Sequence, residues 1–239
     1  MRPVVLLPSL GRPATDFDAL VCSLRGAGRE ALALDLPGVE GVPAGDDGDD
    51  LHDLAASVAG RIAPLGGEVH LVGHAFGNRV ARCLAADRPD LVGSLILLGC
   101  GGKYPGDPEA RRALADCFTE EAGTPEHRAA VATAFFAPTS EVPPSWEVGW
   151  WPEAAEVQRR ATERTPVAEW WVPPASLPVL ALVGEDDRIS PVPNAADLVD
   201  RVGERGHLEV IPRAGHALLP EQPEQVAGAV LSFLAPVDP

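Results

Sequence analysis

Lysine is almost missing from this 239-residue chain: Lys103 is the only one among nineteen basic residues, which face thirty-five acidic ones. The formal net charge of −16 leaves no basic face for a phosphate backbone or an anionic membrane surface. Neither nucleic acid nor a membrane is therefore expected as a partner. Long apolar runs are missing too. Val4–Leu7 is far short of the roughly 20 residues a spanning helix needs. The four cysteines (Cys22, Cys83, Cys100, Cys117) lie far apart, form no C-x-x-C, and follow no charged-then-apolar opening segment. Reduced thiols in a cytoplasmic protein are the simplest expectation. The acidic residues lack ligand spacing and no glycine-rich phosphate loop follows a strand, so no metal and no organic cofactor is expected.

What the chain does have is ordinary globular composition, 46% apolar and 23% charged, at a length that suits one large core. Short β-type runs alternate with helix-period segments, the pattern of a parallel sheet covered on both faces. Six strands are expected, at Val4–Leu7, Ala31–Leu36, Val69–Gly73, Ser94–Leu98, Val179–Val183 and Leu208–Ile211. A helix with Phe17, Leu20, Val21 and Leu24 on one face follows the first, with Thr15 as its expected cap. The acidic loop Asp46 to Asp50 leads into a second helix, striped by Leu51, Leu54, Ala55, Val58 and Ile62, whose positive N-terminal end suits those charges.

The alternation breaks from about Lys103 to Pro174, where only helix-like pieces separated by prolines appear. The expected organisation is an α/β core of residues 1–102 and 175–239, with a helical insertion of residues 103–174 after the fourth strand. All five tryptophans (Trp146, Trp150, Trp151, Trp170, Trp171) fall in that insertion, as do Phe118, Phe135 and Phe136.

In an open parallel sheet, functional groups collect beyond the carboxyl ends of strands. Three such loops stand out. Gly73-His74-Ala75-Phe76-Gly77 joins a strand directly to a helix, so tightly that small residues are needed on either side. It reads as the G-x-S-x-G nucleophile elbow with alanine in place of serine. Gly184-Glu185-Asp186-Asp187 follows the fifth strand, and Ala214-Gly215-His216-Ala217 follows the sixth. The order is elbow, acid, histidine, with separations of 112 and 29 residues.

On these three loops, with Leu182-Val183 before the acid and Leu218-Leu219-Pro220-Glu221 after the histidine, the sequence resembles the α/β-hydrolase fold superfamily across nearly its whole length. The resemblance implies an α/β-hydrolase fold without the usual N-terminal β-hairpin, and it makes the insertion a helical cap over the site. It also implies that Asp187, or else Asp186, orients and charge-stabilises the His216 imidazole. The backbone N–H groups of Leu10 and Phe76 would form an oxyanion hole, and His74 would be structural. Three departures from the family's habit stand out: Pro8-Ser9 replaces His-Gly, Asp35 to Gly41 lacks the frequent His-Gly-x-Ser ending, and the N-terminal β-hairpin is expected to be missing.

The substrate implied is a small, partly apolar molecule with a carbonyl group, contacted by Ser9 and by part of the tryptophan set. Ser9 reads as a loop hydrogen-bonding residue and Cys100 as a small buried cysteine, so neither replaces the missing nucleophile. Ala75 has no group that can attack a carbonyl, and loss of a triad serine costs about 10⁶ in turnover. Three readings stay open. In the first, the alanine is natural and His216–Asp187 acts as a general base on water or a substrate proton. In the second, a serine esterase or C–C hydrolase has had its nucleophile replaced by alanine. In the third, a ligand-binding protein keeps the pocket without the chemistry.

Overall fold

The computed structural model describes residues 1–44, 49–174 and 176–238. Among these, six strands make one sheet: β1 (Val4–Leu7), β2 (Ala31–Ala33), β3 (Val69–His74), β4 (Val92–Leu98), β5 (Val179–Gly184) and β6 (Gly206–Ile211). Every pairing is parallel, in the spatial order β2-β1-β3-β4-β5-β6. Along the chain run α1 (Asp18–Gly26), α2 (Leu51–Ile62), α3 (Phe76–Asp87), α4 (Pro108–Asp116) and α5 (Pro125–Phe135). They are followed by α6 (Pro152–Arg164), α7 (Val167–Trp170), α8 (Val192–Val202), α9 (Leu218–Glu221) and α10 (Pro223–Val237).

The near-continuous apolar strands divide by the two-residue strand period into two cores. Val5, Leu7, Leu71, Leu97 and Ala181 face α2, α3 and α8. Val4, Leu6, Val72, Ile96 and Leu182 face α1, α9 and α10. Burial on both faces is what a parallel sheet requires, since each connection must cross over it.

Two local expectations give way to the packing. β2 ends at Ala33 rather than Leu36 because its partner runs out: Leu34 N–H still donates to Leu6 O, but β1 stops at Leu7 before Pro8. Thr15 does not cap the first helix. It lies inside a 3₁₀ turn, Ala14–Phe17, and the acceptor at this end is Asp35, whose carboxylate takes the Ala14 N–H at 2.6 Å. At α2 the acidic loop does cap: Asp50 accepts from His52 and Asp53 N–H, and Asp53 returns a bond to Asp50 N–H. Asp46 and Asp47 lie outside the described residues.

Between β4 and β5 the described residues form helices α4 to α7 and no strand. This segment carries an apolar cluster of its own around Phe118, Phe135, Phe136 and Trp146. It is anchored to the loop after β1: Gly11 N–H donates to the buried Gln158 Oε1 of α6 at 2.8 Å, and Trp151 N–H donates to Gly11 O at 3.0 Å.

The strand order reverses direction between β1 and β3, and there α3 starts against the end of β1. A Cβ on Gly77 would collide with the Leu7 and Pro8 carbonyls, and one on Gly73 would collide with the Asn78 backbone. Gly77→Ala is therefore expected to destabilise the fold by about 3 kcal/mol or to prevent folding. Gly60→Ala, in α2 with nothing within 4 Å, is expected to stabilise by about 0.5–1 kcal/mol. Urea midpoints of the two variants check the contrast.

Candidate active site

β3 passes into α3 through Ala75 alone, at φ 49° and ψ −102°. A residue with a Cβ adopts such a conformation only where its surroundings enforce it. Here Ala75 N–H donates to Leu98 O of the neighbouring strand at 2.8 Å, and the close approaches at Gly73 and Gly77 fix the turn on both sides. The Ala75 methyl is thereby held at the carboxyl edge of the sheet, facing a cavity.

The loops after β5 and β6 meet beside it. Asp187 is buried, and its Oδ1 accepts backbone bonds from Ile189 at 3.0 Å and Ser190 at 2.7 Å. Its Oδ2 lies 2.8 Å from His216 Nδ1. Asp186 is exposed, so Asp187 is the acid that reaches the imidazole. A carboxylate can only accept, so Nδ1 carries the proton and the Nε2 lone pair is left for the cavity that His216 lines. The positive φ of Gly99, at the end of β4, has a second reason here: a Cβ there would lie 2.9 Å from the His216 ring and 3.6 Å from Asp187 Oδ2. Glu221 of α9 holds this loop by accepting from Gly215 N–H at 2.7 Å and Ala137 N–H at 2.8 Å.

His74 is fully buried behind the site, its Nε2 bonded to the His216 carbonyl at 2.9 Å. Burial, reinforced by the neighbouring His216, pushes its pKa down to about 3. It is a neutral donor that positions the His216 backbone.

The cavity holds about 260 Å³ and is walled by Ser9, Leu10, Phe76, Phe135 and Ile189 in addition to Ala75 and His216. Leu10 N–H has no acceptor among the described residues, and Phe76, first in α3, has none within its helix. Both residues line the cavity. Cys100 is fully buried, and burial raises its thiol pKa, which leaves it inert.

The tryptophan expectation is corrected: none of the five lines this cavity. Trp146 and Trp150 clamp Arg12, whose guanidinium carbon lies 4.5 Å from each ring. Trp170 and Trp171 stand over Arg82 at 4.8 and 4.9 Å. Trp151, in turn, secures the loop after β1 through its backbone. Their large rings serve to shield buried guanidiniums while fastening the helical segment to the core.

Sequence reasoning also missed residues. Gln158 and Gly99 carry no local signal, since their roles depend on distant partners. Arg79 was findable, because it sits one turn after Ala75 and so on the same face of α3. It lines the cavity, and among the described residues it makes no hydrogen bond or ion pair, only a ring contact with Trp170 at 5.4 Å. Desolvation, with Arg82 nearby, draws its pKa down to about 10.

The geometry defines a hydrolase-like enzyme: a parallel α/β sheet with a sharp strand–helix turn, a buried Asp–His pair and a cavity at one end. Consistent with this, residues 4–229 match the Alpha/beta hydrolase family, and the chain belongs to it. A 2-hydroxy-6-oxononadienedioate/2-hydroxy-6-oxononatrienedioate hydrolase of Comamonas testosteroni is 28% identical over 200 residues, covering 76% of this chain and 68% of that protein. A 2-hydroxy-6-oxo-6-phenylhexa-2,4-dienoate hydrolase of Burkholderia cepacia is 27% identical, with the same two coverages of 76% and 68%. Among solved structures, a thermophilic esterase from Thermogutta terrifontis superposes with a TM-score of 0.80 at 25% identity, over 100% of this chain and 91% of that one. No helix among the described residues is long and apolar enough to cross a membrane.

His74 generates a pH signature. Unfolded, its ring titrates near 6.5; folded, near 3. Below pH 6.5 the unfolded chain binds a proton that the fold excludes, so its contribution to stability is full above that pH and is lost as pH falls towards 3. Between pH 7 and pH 5 the unfolding free energy of the wild type should drop by about 2 kcal/mol more than that of His74→Gln. Urea titrations at the two pH values measure this, and equal drops would refute the assignment.

Proposed function

We propose that this enzyme hydrolyses a small, partly apolar carbonyl compound with His216 as general base, and without a covalent intermediate. The observation that carries the reading is the 2.8 Å His216 Nδ1–Asp187 Oδ2 bond, made by two buried groups beside a turn that presents only a methyl. In this mechanism a water above Ala75 gives a proton to His216 Nε2 as its oxygen bonds to the carbonyl carbon. The carbonyl π electrons move to oxygen, which accepts from the Leu10 and Phe76 N–H groups. Asp187 stays ionised and stabilises the imidazolium. When the tetrahedral species collapses, the bond to the leaving group breaks and His216 returns the proton to that group. The 6-oxo groups in the names of the two hydrolase relatives, and the esterase fold match, support a carbonyl-directed reaction. The helical segment α4 to α7 acts as the lid that keeps bulk water out, and residues 103–174 form it.

The test is a panel of esters, amides and oxo acids. On any member that turns over, His216→Ala should lower kcat/KM by about 10²–10⁴-fold, and Asp187→Asn by a comparable factor through the wrong tautomer. Intact-mass spectra during turnover should show no adduct. Ala75→Ser need not raise the rate. A covalent adduct, full activity in His216→Ala, or a hundredfold gain with Ala75→Ser would overturn the reading and favour a serine hydrolase whose nucleophile has been replaced.

A further inference from the structure

Two arginines sit three residues apart on α3 and are treated in opposite ways. Arg82 is fully buried and committed. It donates to Asn78 O at 3.2 Å, Asn78 Oδ1 at 2.6 Å and Trp171 O at 3.1 Å, between two indole rings. Arg79, one turn nearer the N-terminal end, has no hydrogen bond and no ion pair among the described residues, although a guanidinium offers five donors. It is partly accessible, and it opens onto the cavity. The other arginine of the lining, Arg159, is already paired with Glu156 at 2.8 Å and stands 5.3 Å from the Phe118 ring.

The cavity lining also holds one carboxylate, Glu163, which makes no ion pair with Arg79 among the described residues, and beside Arg79 the wall is formed by Gly101 and Ser190. A Cβ on Gly101 would lie 3.7 Å from an Arg79 guanidinium nitrogen and 3.2 Å from Ser190 Oγ, so the missing side chain leaves a notch between the two donors. Ser190 Oγ makes no hydrogen bond among the described residues, while its backbone N–H is held by Asp187. An uncompensated cation withdrawn from bulk water is costly to the fold, and an anion accepted from solution removes that cost. The planar fork matches a carboxylate, with the hydroxyl as an additional donor. A single guanidinium suits a monoanion better than a phosphate dianion, which draws on several cationic or backbone donors.

We propose that Arg79, with Ser190 Oγ beside the Gly101 notch, is a carboxylate subsite, and that the substrate of this cavity is an oxo acid whose carboxylate is held there. The subsite lies in the cavity of the proposed reaction and names its substrate class, but anion capture does not require the His216 chemistry. Arg79 acts on binding and orientation, not on the proton transfers.

Binding of 4-oxopentanoate and of its neutral analogue 4-oxopentanamide, measured by titration calorimetry, tests this. The acid should bind about 10- to 100-fold tighter than the amide, and Arg79→Gln should abolish that preference. Arg79→Lys, which keeps the charge but loses the fork, should retain part of it. His216→Ala should keep the preference in full, so failure of the general-base reading leaves this result standing and the converse also holds. If Arg79→Gln does not fold, the wild type still decides: in ¹⁵N-arginine-labelled protein the Arg79 Nε–H signal should shift with the acid and not with the amide. Equal affinity for acid and amide, no binding by either, or a preference that survives Arg79→Gln overturns the proposal.

Discussion

The seat of α3 against the end of β1 is the contact on which the rest of the site depends. Gly77 lets the first turn of the helix approach the Leu7 and Pro8 carbonyls, and Gly73 lets the Asn78 backbone close on β3. Between these two approaches Ala75 is left with a positive φ, an arrangement that costs on the order of 1 kcal/mol or more and would relax if either glycine carried a side chain. Several features follow from that one constraint. The residue at 75 faces the cavity, the Phe76 N–H starts a helix with no acceptor behind it, and Arg79 comes round to the same side one turn later. Because β1 and β3 are neighbours, the loop carrying Ser9 and Leu10 ends at the same place.

Buried arginines organise the second layer. Arg12 is fully buried, bonded through two nitrogens to Asp16 at 2.9 and 2.7 Å and through a third to Val148 O at 2.7 Å. It joins the loop after β1 to the helical segment, while Arg82 joins α3 to Trp171 on the far side of that segment. Each charge is both hydrogen-bonded and sandwiched by aromatic rings, which is how a guanidinium can be kept from water at acceptable cost. Arg79 has only the ring. The contrast within a single helix separates structural cations from the one left for a ligand.

Much of the fold was legible because the strands are apolar and the turns carry proline and glycine. Strand-end position, chain order and the resemblance to the α/β-hydrolase superfamily pointed to Ala75, His216 and an acid at Asp187 or Asp186, and only burial and the bond to His216 separate the two acids. The boundaries of β2 and the acceptor ahead of α1 were not legible, since the first is set by where β1 stops and the second by Asp35, 21 residues downstream of Ala14 and in another loop. The tryptophans misled for a related reason. An aromatic cluster in an insertion over a site can line the pocket or pack the insertion down, and only the positions of Arg12 and Arg82 decide. Sequence spacing reports periodic neighbours well. It is blind to a buried glutamine such as Gln158, whose partner at Gly11 lies 147 residues away.

The alanine at the turn bears on what the acid and histidine are for. In a serine-dependent route, the imidazole would take its orientation from two sides, the carboxylate and the hydroxyl. Here the orientation is complete without a hydroxyl. Asp187 is fixed by two backbone donors, His216 Nδ1 by Asp187, and the His216 carbonyl by His74, with Gly99 making room for the ring. A carboxylate buried on this scale is stabilised only while its acceptor sites are filled, so the pair persists as a structural unit whatever occupies position 75. In the proposed reaction that independence is what matters. The Ala75 methyl and His216 line the same cavity, and the charge that will face the developing imidazolium is already in place before any substrate arrives.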